Sequence, residues 1–351
     1  MKVLPALLLV TATSCAHGGE VTRVAFGSCA HQDRPQPIWD AIGATAPERF
    51  LFIGDNVYAD TTDPAVMKAA YAKLAAEPHY RRFAAAVPVL PVWDDHDYGA
   101  NDAGADFAMR AESERIFLDF YGVAADDPRR QREGVYHAEV FGPPGRRVQV
   151  ILLDVRYFKS PWSPRPQGEH PVYGRWAPTD DVSKTILGEA QWAWLEQQLR
   201  EPAEVRLIAS GIQVVSEEHG WEKWANFPHE RQRLFDLIRD TEAAGVVLLS
   251  GDRHKGEISE MDAGVGYPLY DVTSSGLNQG FKGWFHFERN RHRVAEHRWG
   301  NVFGLIEIHW AHDDPKIDLE IRFEDGEIAV QHRIRLSTLQ PGALPEIPPD
   351  H

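Results

Sequence analysis

The sequence predicts an α/β fold, and three observations carry that reading. Short apolar runs stop abruptly at polar clusters: Val21–Phe26 at Gly27-Ser28-Cys29, Phe50–Ile53 at Gly54-Asp55-Asn56-Val57-Tyr58-Ala59-Asp60, Val87–Val92 at Trp93-Asp94-Asp95-His96-Asp97-Tyr98-Gly99, and Val246–Leu249 at Ser250-Gly251-Asp252-Arg253-His254. Each run has the length and apolar content of a buried strand. Segments of helical period lie between them, as in Gly188–Arg200, where Trp192, Leu195 and Leu199 fall at i, i+3 and i+7. Late in the chain, Phe303–Trp310, Lys316–Phe323 and Ile328–Leu336 alternate apolar and polar residues, with turns at Asp313-Asp314-Pro315 and Asp325-Gly326. That period of two marks antiparallel strands.

In chain order, Ala30–Ile42 reads as a connection after the first strand, with His31 and Asp33 on a solvated loop or facing the site. Asp63-Pro64 looks like an N-cap and first helical position, opening an Ala-rich helix over Pro64–Ala76. Tyr80–Ala86 continues helical beyond Pro78, and Glu112–Tyr121 is amphipathic, with Ile116, Phe117 and Phe120 on one face. Val135–Val140 and Val148–Asp154 read as paired strands about the turn Gly142-Pro143-Pro144-Gly145. Lys159–Asp181 is rich in Pro, Gly and Trp and has no period. It is too long for an idle connection and reads as a lid or substrate-side loop. Val205–Ala209 is a strand ending in Ser210-Gly211-Ile212-Gln213, and Glu230–Thr241 is a helix. Leu269–Thr273 is a strand followed by the Gly-rich Ser274–Gly280. Residues 20–338 read as one domain, and Leu339–His351 as a Pro-rich, disordered tail.

The chain has 351 residues, 43% hydrophobic and 25% charged, with room for a large core. Its formal net charge of −15 argues against a nucleic-acid-binding surface. It does not exclude a phosphate substrate, because bound metal ions would be the largest local charges in such a site. Lys2, the short apolar run Val3–Val10 and the small residues before Cys15 form a signal-peptide pattern over residues 1–19. The protein is therefore expected to be exported. Cys15 sits where a bacterial lipoprotein carries its lipid, so it is either an anchor, the one expected membrane attachment, or part of a leader cut near Ala16. With only two cysteines, Cys29 has no expected disulfide partner.

Thiol, carboxylate, phenol and imidazole all fall at strand ends, and the strand ends of one parallel sheet converge. Asp55 at such an end can bridge two metals with its two oxygens, and Tyr58 can offer a phenolate to a hard trivalent ion. The bland alternatives are a turn carboxylate with a packed tyrosine, and an inert core cysteine at position 29.

In combination, Phe26-Gly27-Ser28-Cys29, Gly54-Asp55-x-x-Tyr58-Ala59-Asp60, Trp93 to Tyr98 followed by Asn101-Asp102, Leu152-Leu153-Asp154-Val155-Arg156, and Ser250-Gly251-Asp252-x-His254 resemble the alkaline phosphatase D (PhoD-like) group of the calcineurin-like metallophosphoesterases. The resemblance runs from about Val21 to Asn278. It implies a four-layer α/β-β/α sandwich of two mixed sheets, with metals at one edge. It implies an iron(III) site from Cys29, Asp55, Tyr58 and His254, with Asp55 as the bridge. Asp95 and Asp252 stand where the superfamily commonly has Asn and His, and Gln213 where it has a metal-binding His. Asp55, Asp95 and Asp252 therefore suit calcium, although a divalent ion could replace either metal. Asn101 is an extra ligand or orienter, and Asp97, Tyr98 and Asp102 are orienting residues. His96 is expected to act on the leaving group or the phosphoryl oxygens. Arg156 is expected either to touch substrate phosphate or to form a buried ion pair. Asp94 and Glu257 receive no role. The implied activity is hydrolysis of a small phosphate ester, a phosphodiester first and a monoester second. A phospholipase-type head-group hydrolase and a non-catalytic anion-binding lipoprotein are the alternatives.

Overall fold

The computed structural model describes residues 21–166, 174–282 and 288–344. The expected leader with Cys15 and the end of the tail lie outside the described residues.

Sheet A contains β1 (Val21–Gly27), β2 (Arg49–Ile53), β3 (Val89–Val92), β13 (Val302–His309), β14 (Lys316–Phe323) and β15 (Ile328–Arg335), in the order β15-β14-β13-β1-β2-β3. Sheet B contains β4 (His137–Phe141), β5 (Val148–Leu152), β8 (Val205–Ser210), β9 (Val246–Ser250), β10 (Gly256–Asp262), β11 (Pro268–Ser274) and β12 (Arg293–His297), in the order β12-β10-β11-β9-β8-β5-β4. A two-residue pair, β6 (Ser163–Pro164) and β7 (Trp176–Ala177), stands apart. Strands β1, β2 and β3 are parallel in sheet A, and β5, β8, β9 and β11 in sheet B. Antiparallel strands flank both parallel cores, so both sheets are mixed as expected. The parallel strands read as continuous apolar runs because both faces are covered; β5 and β9 are buried at every position.

Helices α1 (Ile38–Ala44), α2 (Pro64–Ala76), α3 (Pro78–Ala86), the one-turn α4 (Asp95–Tyr98) and α5 (Arg110–Phe120) accompany sheet A, and α6 (Gly188–Leu199) and α7 (Pro228–Asp240) accompany sheet B. Trp39 of α1 packs on Phe50 and Phe52 of β2 and on Tyr80 and Phe83 of α3, with ring centroids 5.0–5.5 Å apart. Asp63 caps α2 as expected, accepting from the Ala65 amide at 2.8 Å. Glu77 caps α3 by accepting from the Tyr80 amide at 2.6 Å, which lets the helix begin at Pro78, earlier than its apolar pattern suggests. No helix among the described residues is long and apolar enough to cross a membrane.

One expectation needs correction. The tail is not structureless from Leu339: that side chain is fully buried, its carbonyl accepts from the Gly245 amide at 2.7 Å, and the Leu344 amide donates to the Gly266 carbonyl at 3.0 Å. The described part of the stretch around β6 and β7 keeps its expected place on the substrate side, with the Trp176 amide donating to the Gly220 carbonyl at 2.8 Å.

Candidate metal centre and catalytic cleft

The carboxyl ends of both parallel cores meet at one edge. Backbone bonds stitch them together: the Cys29 amide donates to the Gly54 carbonyl (3.3 Å), the Gly251 amide to the Gly211 carbonyl (3.1 Å), and the Gly276 and Leu277 amides to the Ser28 carbonyl (3.0 Å each). Gly251 and Gly211 are needed here because the strands approach closely; a Cβ on Gly251 would lie 2.7 Å from Ser28 Oγ, and one on Gly211 2.5 Å from Asp94 Oδ1.

The structure brings Cys29, Asp55, Tyr58 and His254 into one cluster. Asp55 Oδ2 lies 3.3 Å from Cys29 Sγ and accepts from the Tyr58 hydroxyl at 3.1 Å. That hydroxyl is 3.5 Å from His254 Nε2. The other nitrogen of His254, Nδ1, lies 2.8 Å from the Gln279 carbonyl, which orients Nε2 into the cluster. Just past β11, the Ser275 hydroxyl lies 3.1 Å from Cys29 Sγ, and the thiol is in no disulfide.

A second set adjoins the first through Asp55 and extends through Asp95. Ligand atoms of Asp55, Asp95 and His96 lie within 4.8 Å of one another, as do those of Asp95, Asp102 and Glu222. Asp95 is fixed from both sides: Oδ1 accepts from the His96 amide at 3.0 Å, and Oδ2 from the Asp102 amide at 2.7 Å. Asp252, Asn101 and His254 line the same cavity of about 370 Å³, together with Asp95, His96, Arg175 and Glu222.

The backbone marks the same place. Among the described residues, eight that are not glycine have positive φ, and Cys29 (61°), Asp55 (51°), Asp60 (41°), Asp102 (60°), Asp252 (61°) and His254 (53°) are six of them. Left-handed backbone is uncommon outside glycine and concentrates at functional sites.

Electrostatics point the same way. Burial, with Cys29 and Asp95 close by, holds the Asp55 carboxyl well above the usual range. Burial, Asp55 and Cys29 do the same to the Tyr58 phenol. Burial pushes the Cys29 thiol up to about 11. No Lys or Arg is among the leading influences on these three groups. Acid groups that raise one another in a buried site fit a cation: thiolate, carboxylate, phenolate and a neutral imidazole are a donor set for iron. Asp95 differs: burial would raise its carboxyl, but Arg156 and His96 hold it below the usual range; its oxygens and those of its carboxylate neighbours are of the type a hard divalent ion takes.

His96 belongs to the one-turn helix α4 and sits beside the Tyr58 ring at 4.2 Å between centroids. Its Nδ1 is 2.7 Å from Asp60 Oδ2. Burial alone would lower its pKa, but Asp55, the Asp60 bond and Asp95 overcome that and push it up to about 11. A cation on Asp55 and Asp95 would relieve their share; the Asp60 bond lies outside the donor cluster and remains.

Three expected site residues do not reach the cleft. Arg156 is fully buried, its Nε 2.6 Å from Asp94 and its two terminal nitrogens on Glu222 at 2.6 and 2.8 Å; a guanidinium with no exposed surface cannot touch substrate, so the ion-pair alternative is the one observed. Asp97 is fully buried, accepting from the Asp94 amide at 2.7 Å and the Asn56 amide at 3.1 Å, and so shapes the turn. Gln213 donates to Glu257 at 3.0 Å and Thr273 at 2.8 Å, behind the site. Among the residues first left without a role, Asp94 partners Arg156, while Glu257 joins Lys255 (3.0 Å) and Arg293 (2.5 Å). His31 stacks on Tyr58 at 5.1 Å, whereas Asp33 pairs with Lys73 on the surface. The sequence reading passed over Glu222 and gave Asp60 no task. The signal for Asp60 was its place in the strand-end motif; Glu222 had none beyond its aromatic neighbours.

Comparison with known proteins agrees with this geometry. The family model for the PhoD-like phosphatases matches residues 24–279. The solved structure of PhoD superposes with a TM-score of 0.70 at 16% identity, covering 90% of this chain and 68% of that one. The 5'-nucleotidase precursor from Thermus thermophilus aligns at 15% identity over 93% of this chain and 56% of its own, with a TM-score of 0.38. The comparison with curated proteins gave no match. With the family model spanning most of the chain and the donor residues gathered at one sheet edge, the protein belongs to the PhoD-like phosphatase family and is a metallophosphoesterase.

Proposed function

We propose that this protein is an exported phosphoesterase that hydrolyses phosphodiesters and, more slowly, monoesters. The observation that carries the reading is the convergence of Cys29, Asp55, Tyr58 and His254, with neighbouring donor atoms 3.1–3.5 Å apart, in a buried cluster whose acid groups feel one another more than any Lys or Arg. In this proposal Cys29, Asp55, Tyr58 and His254 hold iron(III), and Asp55, Asp95 and Asp252 hold calcium, with Asn101, Asp102 and Glu222 supplying further oxygens. When bound, such ions polarise the phosphoryl oxygen and lower the pKa of a bound water.

The chain's own residues do the rest. The Asp60 carboxylate beside Nδ1 favours the charged form of His96, which lines the cleft wall where a protonated imidazole can meet a departing alkoxide. Asp60 orients the ring through Nδ1 and leaves Nε2 as the reactive nitrogen. Tyr58, stacked on His31 and in tilted contact with His96, is held with its hydroxyl on Asp55. The buried Arg156 clamps Asp94 and Glu222 at fixed separation and so keeps both walls of the cleft in place. The leader pattern at residues 1–19 supports export, and Cys15 supports a lipid anchor.

Metal analysis and an absorption spectrum of purified protein, with turnover of bis-p-nitrophenyl phosphate and p-nitrophenyl phosphate, test this reading. Iron near one equivalent, a visible band and faster diester turnover are expected. Colourless, iron-loaded protein would remove Tyr58 from the ligand set. Detergent partitioning of the native protein and of Cys15→Ala tests the anchor.

A further inference from the structure

Beyond the 370 Å³ cavity with the donor clusters lies a second cavity of about 520 Å³. The two share Asn101, Asp102 and Arg175 as lining residues, so they are adjoining chambers of one cleft. Their chemistry differs. The first is ringed by carboxylates and imidazoles. The second is walled by Phe107, Trp162 and Trp176, with the small side chains of Ala103 and Ala108 leaving room between the rings. Its volume falls in the range of small-molecule sites.

The junction is built rather than incidental. Arg175 is 58% exposed at its side chain, and its Nε lies 3.2 Å from Asp102 Oδ2. The Trp176 indole donates to the same oxygen at 3.1 Å, which fixes the ring at the boundary of the two chambers. Trp162 is anchored through its indole nitrogen to Glu222, the carboxylate that also holds Arg156. The aromatic walls are thus tied to the same carboxylates that line the ionic chamber, and a molecule reaching from one chamber to the other would be read by both.

We propose that the second chamber is the subsite for the retained ester substituent of a phosphodiester, and that this substituent is an aromatic, ring-bearing group. This deepens the phosphodiesterase reading above and rests on it. Both ester oxygens sit on the phosphorus in the first chamber; because His96 lines that chamber and not the second, the ring-lined chamber is assigned to the substituent on the oxygen that His96 does not face. Trp176 and Phe107, both half-buried, favour a flat ring, which they can meet face-on or edge-on, while Trp162 is buried, with Lys159 Nζ 4.3 Å over its ring and Phe227 beside it, and backs the wall. A monoester has no such second substituent and would leave the chamber filled with water.

The test holds the leaving group constant as p-nitrophenolate and varies the retained group: methyl, phenyl and octyl p-nitrophenyl phosphate, measured as kcat/KM on the full-length, metal-loaded protein. The phenyl ester should exceed the methyl ester by about ten-fold or more, the order a filled apolar pocket gives. Ala108→Trp fills the chamber from an exposed position and should lower the phenyl ester about five-fold or more beyond its effect on the methyl ester. Phe107→Leu, which removes a ring face, should narrow the phenyl-to-methyl ratio in the same direction. Equal rates for phenyl and methyl esters, or equal losses on both in Ala108→Trp, would overturn the subsite while leaving the phosphodiesterase reading intact. An octyl ester faster than the phenyl ester would overturn the aromatic assignment in favour of a lipid tail. No turnover of any diester, with p-nitrophenyl phosphate still hydrolysed, would sink both the diester reading and the subsite.

Discussion

Among the described residues, two regions gather histidine and carboxylates closely enough to hold an ion, and they differ in what surrounds the ligands. At the strand ends, buried Cys29 and Asp55 and half-buried Tyr58 and His254 come together, three of the four on left-handed backbone, and no Lys or Arg is among the leading influences on Cys29, Asp55 or Tyr58. In the middle of sheet A, Glu307, His309 and Asp318 come equally close, across the regular pairing of β13 and β14. There the counter-charge is already present: Arg23 Nε is 2.5 Å from Glu307, and Arg333 holds Asp318 with two nitrogens at 2.5 and 2.7 Å. His309 Nε2 lies 3.0 Å from Asp318. Donor proximity alone therefore does not make a metal site. What separates the Cys29, Asp55, Tyr58 and His254 set from this one is that no arginine answers Asp55 and that the backbone is bent to aim the donors; Asp95 and Asp252, farther along the cleft, each have an arginine within 4.0 Å.

Substitutions can break that contrast. Asp55→Asn should have the largest effect, abolishing turnover while circular dichroism stays native, because an amide offers one neutral oxygen where the bridge needs two anionic ones. Near-normal turnover in a well-folded variant would defeat the two-metal reading. His96→Ala should cost about 10²–10⁴-fold in kcat/KM for alkyl diesters and less for nitrophenyl esters, whose leaving groups depart without a proton. A uniform loss across leaving groups would reassign His96 to charge stabilisation, and lost metal would make it a ligand. Cys29→Ser should lower iron content without touching any disulfide, since the thiolate is the metal-binding species. Tyr58→Phe should remove the visible band and weaken the same site. Glu307→Gln should do least: metal content and turnover unchanged, and stability altered by only about 0–1 kcal/mol, the usual worth of a surface ion pair. Loss of metal in Glu307→Gln would show that the arginines do not settle the matter.

Much of this was legible in the sequence, and the reasons are specific. Asp55, Asp95 and His254 follow apolar runs, so the pattern locates them at strand ends without reference to distant residues. The destination of Arg156 was not legible. Its partners Asp94 and Glu222 lie 62 and 66 residues away, and Glu222 sits in a Trp-rich stretch with no strand or helix period. The one-turn helix at Asp95 was hidden too, because four residues carry no periodicity. The role of Gln213 was obscured for a related reason: a buried amide between Glu257 and Thr273 is placed by packing of β8, β10 and β11.

The left-handed backbone at the cleft has a consequence for selection. A non-glycine residue in that conformation costs on the order of 1–2 kcal/mol, and glycine would release most of it. Cys29 at φ 61° is the clearest case, since cysteine lacks the tolerance for that region that Asp, Asn and His show. His254 at 53° carries a smaller share of the same strain. Screening variants of the metal-free protein for heat resistance would reward changes that relieve this backbone and the crowded acids beside it, since no bound ion is then present to stabilise the native donor set. Thermostability campaigns run without metal would thus erode the metal centre first, and a library intended to keep activity has to hold these positions fixed.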